Sequence, residues 1–296
     1  MIDVISRTKG FALVLVSVMI FGWMGVVVRR YDLNPLALLF FWQLVGFPVF
    51  FFSALRRKTL AITKRDFLNL AAMTGLVLLA DGSFFAAVKL LPVSSAVFIK
   101  FLFPLFVVIL AAPIVSKKAI QREYILSAFL GICGLAILVL LRDRSVSFDV
   151  LGAGLALITA LSTSFAFSFV KRLDHLSRGT LFSYRYGMGL LALSPVFVAT
   201  GQMSTVSEPR TLLLFAAFAF IFGVLASGMH IKSFVYLDER EVATLGYIEP
   251  LFATAYAVLA LQEAVSASMV IGGALILASG LMIVRGGKRR SDNARF

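Results

Sequence analysis

Residues 101–106 read FLFPLF, and residues 247–252 read YIEPLF, 146 positions further along the chain. Both segments lie inside long apolar stretches. The same shift pairs other residues along the chain: Gly82 with Gly228, Leu91 with Leu237, and Gly134 with Gly280. A shift of 142 pairs three more sites: Gly10 with Gly152, Arg29-Arg30 with Lys171-Arg172, and Leu39-Phe40 with Leu181-Phe182. Two sets of pairs at nearly constant shifts predict an internal repeat, with residues 1–143 as the first half and 144–296 as the second.

The composition assigns this repeat to a membrane. The 296 residues are 60% hydrophobic and 15% charged, with a mean hydropathy of +0.97, whereas about a quarter of the residues of a soluble domain are charged. Charged and turn-forming clusters separate ten apolar stretches, each about 20 residues long, as a membrane-spanning helix requires. We place them at 10–28, 35–55, 67–88, 93–113, 124–141, 150–170, 179–199, 212–234, 242–261 and 267–285.

These stretches predict an all-α membrane protein with ten transmembrane helices in two five-helix repeats. The alternation of apolar and polar residues that marks an outer-membrane barrel is absent. Because five is an odd number, the second repeat enters the membrane from the opposite side. The expected arrangement is an inverted-topology repeat, as in many transporters.

The basic residues predict the orientation. The formal net charge is +13, but the charges fall between the apolar stretches, so we expect contact with the lipid bilayer and not with nucleic acid. Most Lys and Arg lie near residues 7–9, 56–65, 117–122, 171–178 and 285–295. Since cytoplasmic loops are rich in Lys and Arg, we expect a multi-pass protein of the inner or plasma membrane with both termini cytoplasmic.

Other classes of protein find little support in the sequence. The single cysteine, Cys133, lies inside an apolar stretch, and the two histidines match no zinc spacing. No glycine-rich nucleotide loop occurs. We therefore expect no metal, no cofactor, no enzymatic activity and no direct coupling to ATP within this chain.

Ionisable residues inside the spans are the first candidates for function, because each costs about 2.5 to 3.5 kcal/mol to insert into a bilayer. They are Asp81, Lys100, Arg185, His230, Lys232 and Glu249. Counting about 1.5 Å per helical residue from the span ends places Asp81 and Lys100 in the outer half of the membrane. The same count places Arg185, Glu249 and His230 in the inner half.

These depths predict two clusters with different roles. Asp81 and Lys100 lie on consecutive spans, so we expect an ion pair that holds or gates the outer half, with substrate contact as the alternative. Arg185 and Glu249 come from nonadjacent spans and are expected to line a cavity. Pro104 and Pro250 are assigned to the gate, since a proline removes one helical hydrogen bond and lets a helix bend. A static kink that improves packing is the other interpretation.

Polar and aromatic side chains near these charges complete the candidate site. Aromatic walls suit an amphipathic organic substrate. His230 is either a packed residue or a proton carrier. The predicted substrate-binding residues are Arg185, Glu249, Trp23, Trp42, Gln43, Tyr184, Tyr247 and His230, with Tyr186, Phe84 and Phe101 nearby.

The order of several short motifs resembles the EamA-type members of the drug/metabolite transporter superfamily. The motifs are Gly22-Trp23, Leu39-Phe40-Phe41-Trp42, Pro104-Leu105-Phe106, Pro250-Leu251-Phe252, and Gly273 with Gly280. That family usually has an acidic residue after the proline-led helix of each half. Glu263 matches it, whereas Lys117 occupies the first-half position. The resemblance implies ten helices in two inverted halves, a central cavity, and movement of small organic molecules, often outward.

Three hypotheses about function follow. The leading one is a secondary transporter that moves small polar or zwitterionic metabolites by alternating access of a central cavity, and the resemblance implies that it is an exporter. Amino acids and their derivatives are favoured as substrates, because both signs of charge occur inside the membrane. The second is an antiporter of anionic phosphorylated metabolites or nucleotide conjugates, with Lys100 and Arg185 as clamps. The third is an intramembrane enzyme or lipid scramblase. A coupling proton or counter-substrate, and a monomer or weak homodimer, complete the expectations.

Overall fold

The computed structural model of the chain describes residues 2–107, 122–141, 149–170, 172–202 and 208–293. Within these ranges all regular secondary structure is helical. The elements are α1 (Ile2–Arg30), α2 (Pro35–Arg56), α3 (Lys64–Leu90), α4 (Val93–Lys100), α5 (Phe103–Phe106), α6 (Arg122–Leu140), α7 (Val150–Val170), α8 (Arg178–Ala199), α9 (Pro209–Phe218), a π-helical segment (Ala219–Ala226), α10 (Ser227–Ser233), α11 (Glu239–Gly246), α12 (Glu249–Leu261) and α13 (Ala267–Asn293).

Helices occupy all ten predicted spans in the part of the chain that is described. Seven helices or helical runs are long and apolar enough to cross a membrane. The other three spans contain the shorter apolar helices Val93–Phe106, Ile125–Leu140 and Ala267–Met282. The expected all-α fold is confirmed. The predicted boundary at residues 143–144 and the departure at Lys117 lie outside the described residues.

Local sequence explains where several helices begin. The Asn34 side chain accepts hydrogen bonds from the backbone N–H groups of Leu36, at 2.9 Å, and Ala37, at 3.2 Å, and Pro35 occupies the first turn of α2. At α3, the side chain of Thr63 and that of Asp66 cap each other's backbone N–H groups, which forms a capping box. These caps satisfy N–H groups that have no partner within the helix.

Helix packing follows the internal repeat. Helix α1 of the first half packs against α12 of the second. Its repeat counterpart, α7 of the second half, packs against α4 and α5 of the first. Helix α3 packs along α7, and its counterpart is the packing of the π-helical segment and α10 against α1. Helices α2 and α8 pack on each other, as do α6 and α13. Exchanging the two halves therefore reproduces the same set of neighbours.

Two glycines show this relation at atomic detail. A Cβ added to Gly10 would lie 2.7 Å from Leu237 Cγ and 2.8 Å from Tyr236 Cβ. A Cβ added to Gly152 would lie 2.8 Å from Leu91 Cγ and 2.9 Å from Leu90 Cβ. The contacts are related by the shifts of 142 and 146 read from the sequence. Small residues at both places let the helices approach closely.

Candidate functional site

Two spans are broken at corresponding positions. Helix α4 ends at Lys100 and α11 ends at Gly246, 146 residues later, while α5 and α12 begin at Phe103 and Glu249, again 146 residues apart. Hydrogen bonds between residues three apart close each break: Leu102 N–H to Ile99 O at 3.1 Å, and Ile248 N–H to Leu245 O at 3.0 Å. Each break is one tight turn within a helical span, since the Phe101 N–H still bonds to Val97 O at 3.0 Å and the Phe252 N–H to Ile248 O at 3.3 Å.

The prolines act differently from the sequence expectation. We expected Pro104 and Pro250 to bend continuous helices. Instead, each lies in the first turn of a new helix, directly after the break. A proline costs little there, because the first N–H groups of a helix have no partner within the helix. Both prolines are buried, and both mark the start of the second segment of a broken span.

The breaks meet at the centre of the fold. Phe101 and Tyr247, which are related by the shift of 146, contact each other edge to face with ring centroids 5.6 Å apart. Two residues related by a two-fold axis can touch only next to that axis. The pseudo-two-fold axis of the repeat therefore passes between Phe101 and Tyr247, and both broken spans meet there.

The first ion pair lies at these breaks. Lys100 Nζ donates a hydrogen bond to Glu249 Oε1 at 2.9 Å, and the two side chains are 19% and 13% exposed. Lys100 is the last residue of α4, and Glu249 is the first residue of α12. A cation at a helix C-terminus and an anion at an N-terminus each interact favourably with the helix dipole. The Lys100 ammonium also lies 4.9 Å from the centre of the Phe84 ring.

The second ion pair joins two unbroken helices. Arg185 Nη2 on α8 lies 3.9 Å from Asp81 Oδ2 on α3. The Arg185 guanidinium also lies over the ring of Tyr186, with its central carbon 4.9 Å from the ring centre. The Asp81 side chain is 32% exposed, more than any other member of the two pairs. This pair is looser and more accessible than the first.

The sequence prediction of an Asp81–Lys100 pair is wrong. Consecutive position along the chain suggested that these two residues are partners, but α3 also packs against α8, which carries Arg185, and α4 packs against α12, which carries Glu249. Each charge therefore meets a partner from the other half of the molecule. The expected separation of the charges into an outer and an inner cluster is wrong as well. Lys100 remains within electrostatic range of Asp81, so the two pairs form one charged centre.

A hydrogen-bonded aromatic pair flanks this centre. Trp42 Nε1 donates to the Tyr186 hydroxyl oxygen at 3.1 Å, and the Tyr186 hydroxyl donates to the carbonyl of Gly223 at 2.9 Å. Gly223 belongs to the π-helical segment, and a Cβ at this position would lie 2.9 Å from Trp42 Nε1. A π-helix shifts the backbone bonding pattern, and such segments occur frequently at functional sites. Sequence periodicity gave no sign of this segment.

His230 occupies a neighbouring site between α1 and α10. Its Nδ1 lies 3.2 Å from Ser17 Oγ, and Ser17 donates its own hydroxyl proton to the Val14 carbonyl at 2.7 Å. The Ser17 oxygen is thus left as an acceptor, which assigns the proton to His230 Nδ1. Glu249 is within electrostatic range of His230. Ser17 is absent from the sequence prediction, although the shift of 142 pairs it with another hydroxyl residue, Thr159.

Two other predicted residues are buried beside the centre. Gln43 is 1% exposed and packs against Gly189, and Tyr247 is 6% exposed and packs against Gly280. Among the described residues, Gln43 Oε1 and the Tyr247 hydroxyl have no hydrogen-bond partner. A buried polar atom without a partner is costly and usually has a functional or solvent-related explanation.

Trp23 and Tyr184 lie away from the charged centre. Trp23 is 40% exposed and stacks on Tyr256, with ring centroids 4.4 Å apart. It continues an exposed stripe on α1 that includes Val16 and Met19, which is typical of a lipid-facing surface. The Tyr184 hydroxyl donates to the Leu60 carbonyl at 2.9 Å, in the connection between α2 and α3. The structure brings neither residue to the four charges.

Two glycines near His230 and Glu249 in the sequence have open space beside them. A Cβ at Gly228 or at Gly246 would meet no atom within 4 Å. Gly228 lies two residues from His230, and Gly246 lies three residues from Glu249. The Asp81 side chain itself is partly exposed, at 32%.

Glu263 caps the N-terminal end of α4. Its carboxylate accepts hydrogen bonds from the backbone N–H groups of Val93, at 2.6 Å, and Ser94, at 3.3 Å, and from the Ser94 hydroxyl at 2.7 Å. Arg29 lies 3.8 Å from the same carboxylate. The acidic residue singled out by the family resemblance thus caps a helix of the opposite half.

Comparisons with known proteins agree with this architecture. A model of the EamA-like transporter family matches the chain twice, over residues 8–140 and 150–285. An uncharacterized transporter of Archaeoglobus fulgidus is 25% identical over 284 residues, which cover 93% of this chain and 96% of that protein. One crystal structure of a protein superposes with a TM-score of 0.61 at 18% identity, over 96% of this chain and 99% of the other. The last likeness concerns the fold alone.

Proposed function

We propose that this chain, which belongs to the EamA-like transporter family, exports small zwitterionic metabolites, with amino acids and their derivatives as the favoured class. Family membership makes it a multi-pass membrane transporter. The substrate class, the direction and the mechanism are our proposals. The observation that carries them is the loose, partly exposed Arg185–Asp81 pair within a charged centre of zero net charge.

A zwitterion fits this pair because it can replace each partner with a group of the same sign. Its carboxylate would take the place of Asp81 at the planar donor fork of Arg185. Its ammonium group would take the place of Arg185 at the Asp81 carboxylate. The number of opposite-charge contacts rises while the net charge of the centre stays at zero, so no charge is left unpaired inside the membrane.

The same exchange supplies a mechanism for alternating access. In the structure, the Arg185–Asp81 contact ties α8 of the second half to α3 of the first. A substrate bound between the two side chains replaces this direct tie. The halves can then rock about the Lys100–Glu249 pair, which remains closed beside the pseudo-two-fold axis. His230 is our candidate carrier for a coupling proton, with a counter-substrate as the alternative.

The geometry favours a zwitterion over a phosphorylated anion. Each candidate anion clamp, Lys100 or Arg185, already has a carboxylate partner. An anion would have to displace a carboxylate and leave it uncompensated, at a cost of several kcal/mol for a buried group. Antiport of phosphorylated metabolites is therefore the second candidate and forms one arm of the test.

The test is transport by purified protein in proteoliposomes. Counterflow of labelled amino acids is compared with counterflow of sugar phosphates and nucleotides, at equal concentration. We expect transport of at least one zwitterionic amino acid, and its loss in Arg185→Met. Arg30→Met, at an exposed position at the end of α1, is the control variant and should transport normally. Exchange of phosphorylated compounds alone would contradict the proposal in favour of the second candidate.

Orientation is tested separately. We propose a cell-membrane location with both termini cytoplasmic, as the distribution of Lys and Arg predicts. Lys58 is exposed in the connection after α2, so a Lys58→Cys variant in a Cys133→Ala background reports the side of that connection. Labelling of intact cells by a membrane-impermeant maleimide should fail until the membrane is opened. A monomer or weak homodimer remains our prediction for the oligomeric state.

A further inference from the structure

A surface groove runs between α1 and α10, away from the charged centre. Its volume is about 300 Å³, at the lower end of the range for ligand-binding clefts. Ala12 and Val16 of α1 form one wall, and Met229 of α10 contributes to the other. The groove is therefore mainly apolar, and each half of the molecule supplies one side.

Two lysines stand at one end of this groove. Lys9 lies at the start of the first span and Lys232 at the end of the eighth, and both side chains are exposed. Neither has a hydrogen-bond or ion-pair partner among the described residues. By contrast, Arg7 on the same end of α1 is paired with Glu241. Within the described part of the chain, the groove thus combines an unpaired positive end with apolar walls.

The dimensions match a lipid that stands in the membrane. Val16 lies seven residues beyond Lys9, which is about 10 Å deeper along the helix. Tyr236 lines the same end as the lysines, and tyrosine is enriched at membrane–water interfaces. A ligand in this groove would place its anionic group at the headgroup level and an apolar chain below it.

The repeat provides an internal comparison. The shift of 142 pairs Lys9 with Leu151, and the shift of 146 pairs Lys232 with Ala86. The related interface, between α3 and α7, is expected at the opposite membrane face, and it has no lysine at either position. The positive groove is therefore a feature of one face, and the backbone repeat does not require it.

We propose that this groove binds one anionic phospholipid, with its phosphate between Lys9 and Lys232 and an acyl chain along the α1 and α10 walls. Phosphatidylcholine also has a phosphate, but its choline would bring a third cation close to the two lysines, and a free phosphate would leave the apolar walls unfilled. Because α1 and α10 come from different halves, the bound lipid bridges the halves and stabilises the described packing between them. The proposal is independent of the identity of the transported substrate.

Native mass spectrometry of the delipidated full chain tests the headgroup preference. The protein is titrated with phosphatidylglycerol and, separately, with phosphatidylcholine of the same acyl chains. A lysine near a membrane surface contributes about fivefold to the binding of an anionic lipid, so two contribute about 30-fold. We expect that preference in the wild type and its loss in Lys9→Gln with Lys232→Gln.

Two further variants separate the groove from general effects. Lys58→Gln with Lys64→Gln removes the same charge from exposed positions outside the groove and should keep the preference. Lys9→Arg with Lys232→Arg should keep it too, which shows that a loss in the glutamine variant reflects charge and not misfolding. Equal loss in the Lys58/Lys64 variant would overturn the proposal, because general surface attraction would then explain the preference.

The predicted contact between the acyl chain and the apolar walls is tested in variants that keep both lysines. Ala12→Phe fills one wall of the groove and should weaken phosphatidylglycerol binding at least threefold, while glycerol phosphate should not displace the lipid. Unchanged binding in Ala12→Phe would contradict insertion of an acyl chain. Displacement by glycerol phosphate would show that the lysines bind a free phosphate group. All these readouts are independent of transport, so failure here and failure of the proposed function are distinguishable.

Discussion

The two ion pairs of the charged centre have the same chemistry but different settings. Lys100 and Glu249 are 2.9 Å apart and occupy the facing ends of two broken helices. Arg185 and Asp81 are 3.9 Å apart and lie within two continuous helices. The acid of the first pair is 13% exposed, whereas the acid of the second is 32% exposed.

The difference separates a structural pair from an exchangeable one. Each member of the Lys100–Glu249 pair is stabilised by a helix end as well as by its partner, so a substrate group would have to replace two interactions. Asp81 and Arg185 lie away from the helix ends, and their contact is too long for a strong hydrogen bond. A ligand can therefore compete for the second pair more easily than for the first.

The largest expected effect is on stability, from breaking the first pair. Lys100→Met leaves Glu249 without its partner and should destabilise the protein by about 3 to 5 kcal/mol. Lys100→Met with Glu249→Gln removes both charges and should recover most of that loss. Thermal unfolding in detergent, followed by size-exclusion chromatography, gives the comparison. A double variant as unstable as the single variant would show that the pair is not the source of the loss.

The second effect is on transport, from breaking the second pair. Arg185→Met should weaken substrate binding by about 10- to 100-fold, since a hydrogen bond to a charged group is worth about 1.5 to 3 kcal/mol. The loss of stability should be below that of Lys100→Met, because Asp81 is partly exposed and Lys100 remains near it. Binding is measured by ligand-induced thermal shift. Equal destabilisation by the two variants would remove the distinction between the pairs.

A third variant tests the sign of the substrate groups at the second pair. Asp81→Asn removes the expected partner of the substrate ammonium and keeps Arg185. We expect binding of a zwitterionic amino acid to weaken about tenfold, as for one charge-assisted contact. Binding of its N-acetylated anion should change less, because that compound has no ammonium group. Parallel competition curves for the two ligands measure the difference, and parallel losses for both would contradict the assignment.

The smallest expected effect is on stability, from removing the hydroxyl of Tyr247 in the helix break beside the Lys100–Glu249 pair. The Tyr247 hydroxyl is buried and has no partner among the described residues, so Tyr247→Phe should change stability by less than about 1 kcal/mol. Tyr186→Phe is the matched control. It removes a hydroxyl that is bonded to both Trp42 and Gly223, and it should cost more. A transport defect in a stable Tyr247→Phe would indicate that this hydroxyl contacts substrate.

Much of the fold could be read from the sequence. The apolar stretches predicted the ten spans, and the shifts of 146 and 142 predicted the repeat, whereas the interruptions before Pro104 and Pro250 and the contact of Phe101 with Tyr247 came only from the structure. The π-helical segment at Ala219–Ala226 could not be predicted, because a run of apolar residues is equally compatible with an α-helix and with a π-helix. Of the candidate site, the four charges were identified, but their partners were not.

Trp23 and Tyr184 show a second reason for incomplete prediction. Tyr184 is next to Arg185 on α8, but adjacent residues of a helix point about 100° apart, and Trp23 lies on α1, which carries none of the four charges. Helical periodicity gives the relative directions of residues on one helix. It does not say which direction faces the protein interior when nearly every residue is apolar, as in a membrane helix.

The sequence by itself determined the membrane fold, the repeat and the set of ionisable side chains. These properties depend on local composition, because a bilayer accepts only long apolar helices and makes every internal charge conspicuous. Only the tertiary structure decided which acid meets which base. That choice depends on how helices of the two halves pack side by side and on where two spans break, and both are set by contacts between residues far apart in the chain. The result is that both ion pairs cross between the halves, which neighbouring position along the chain did not predict.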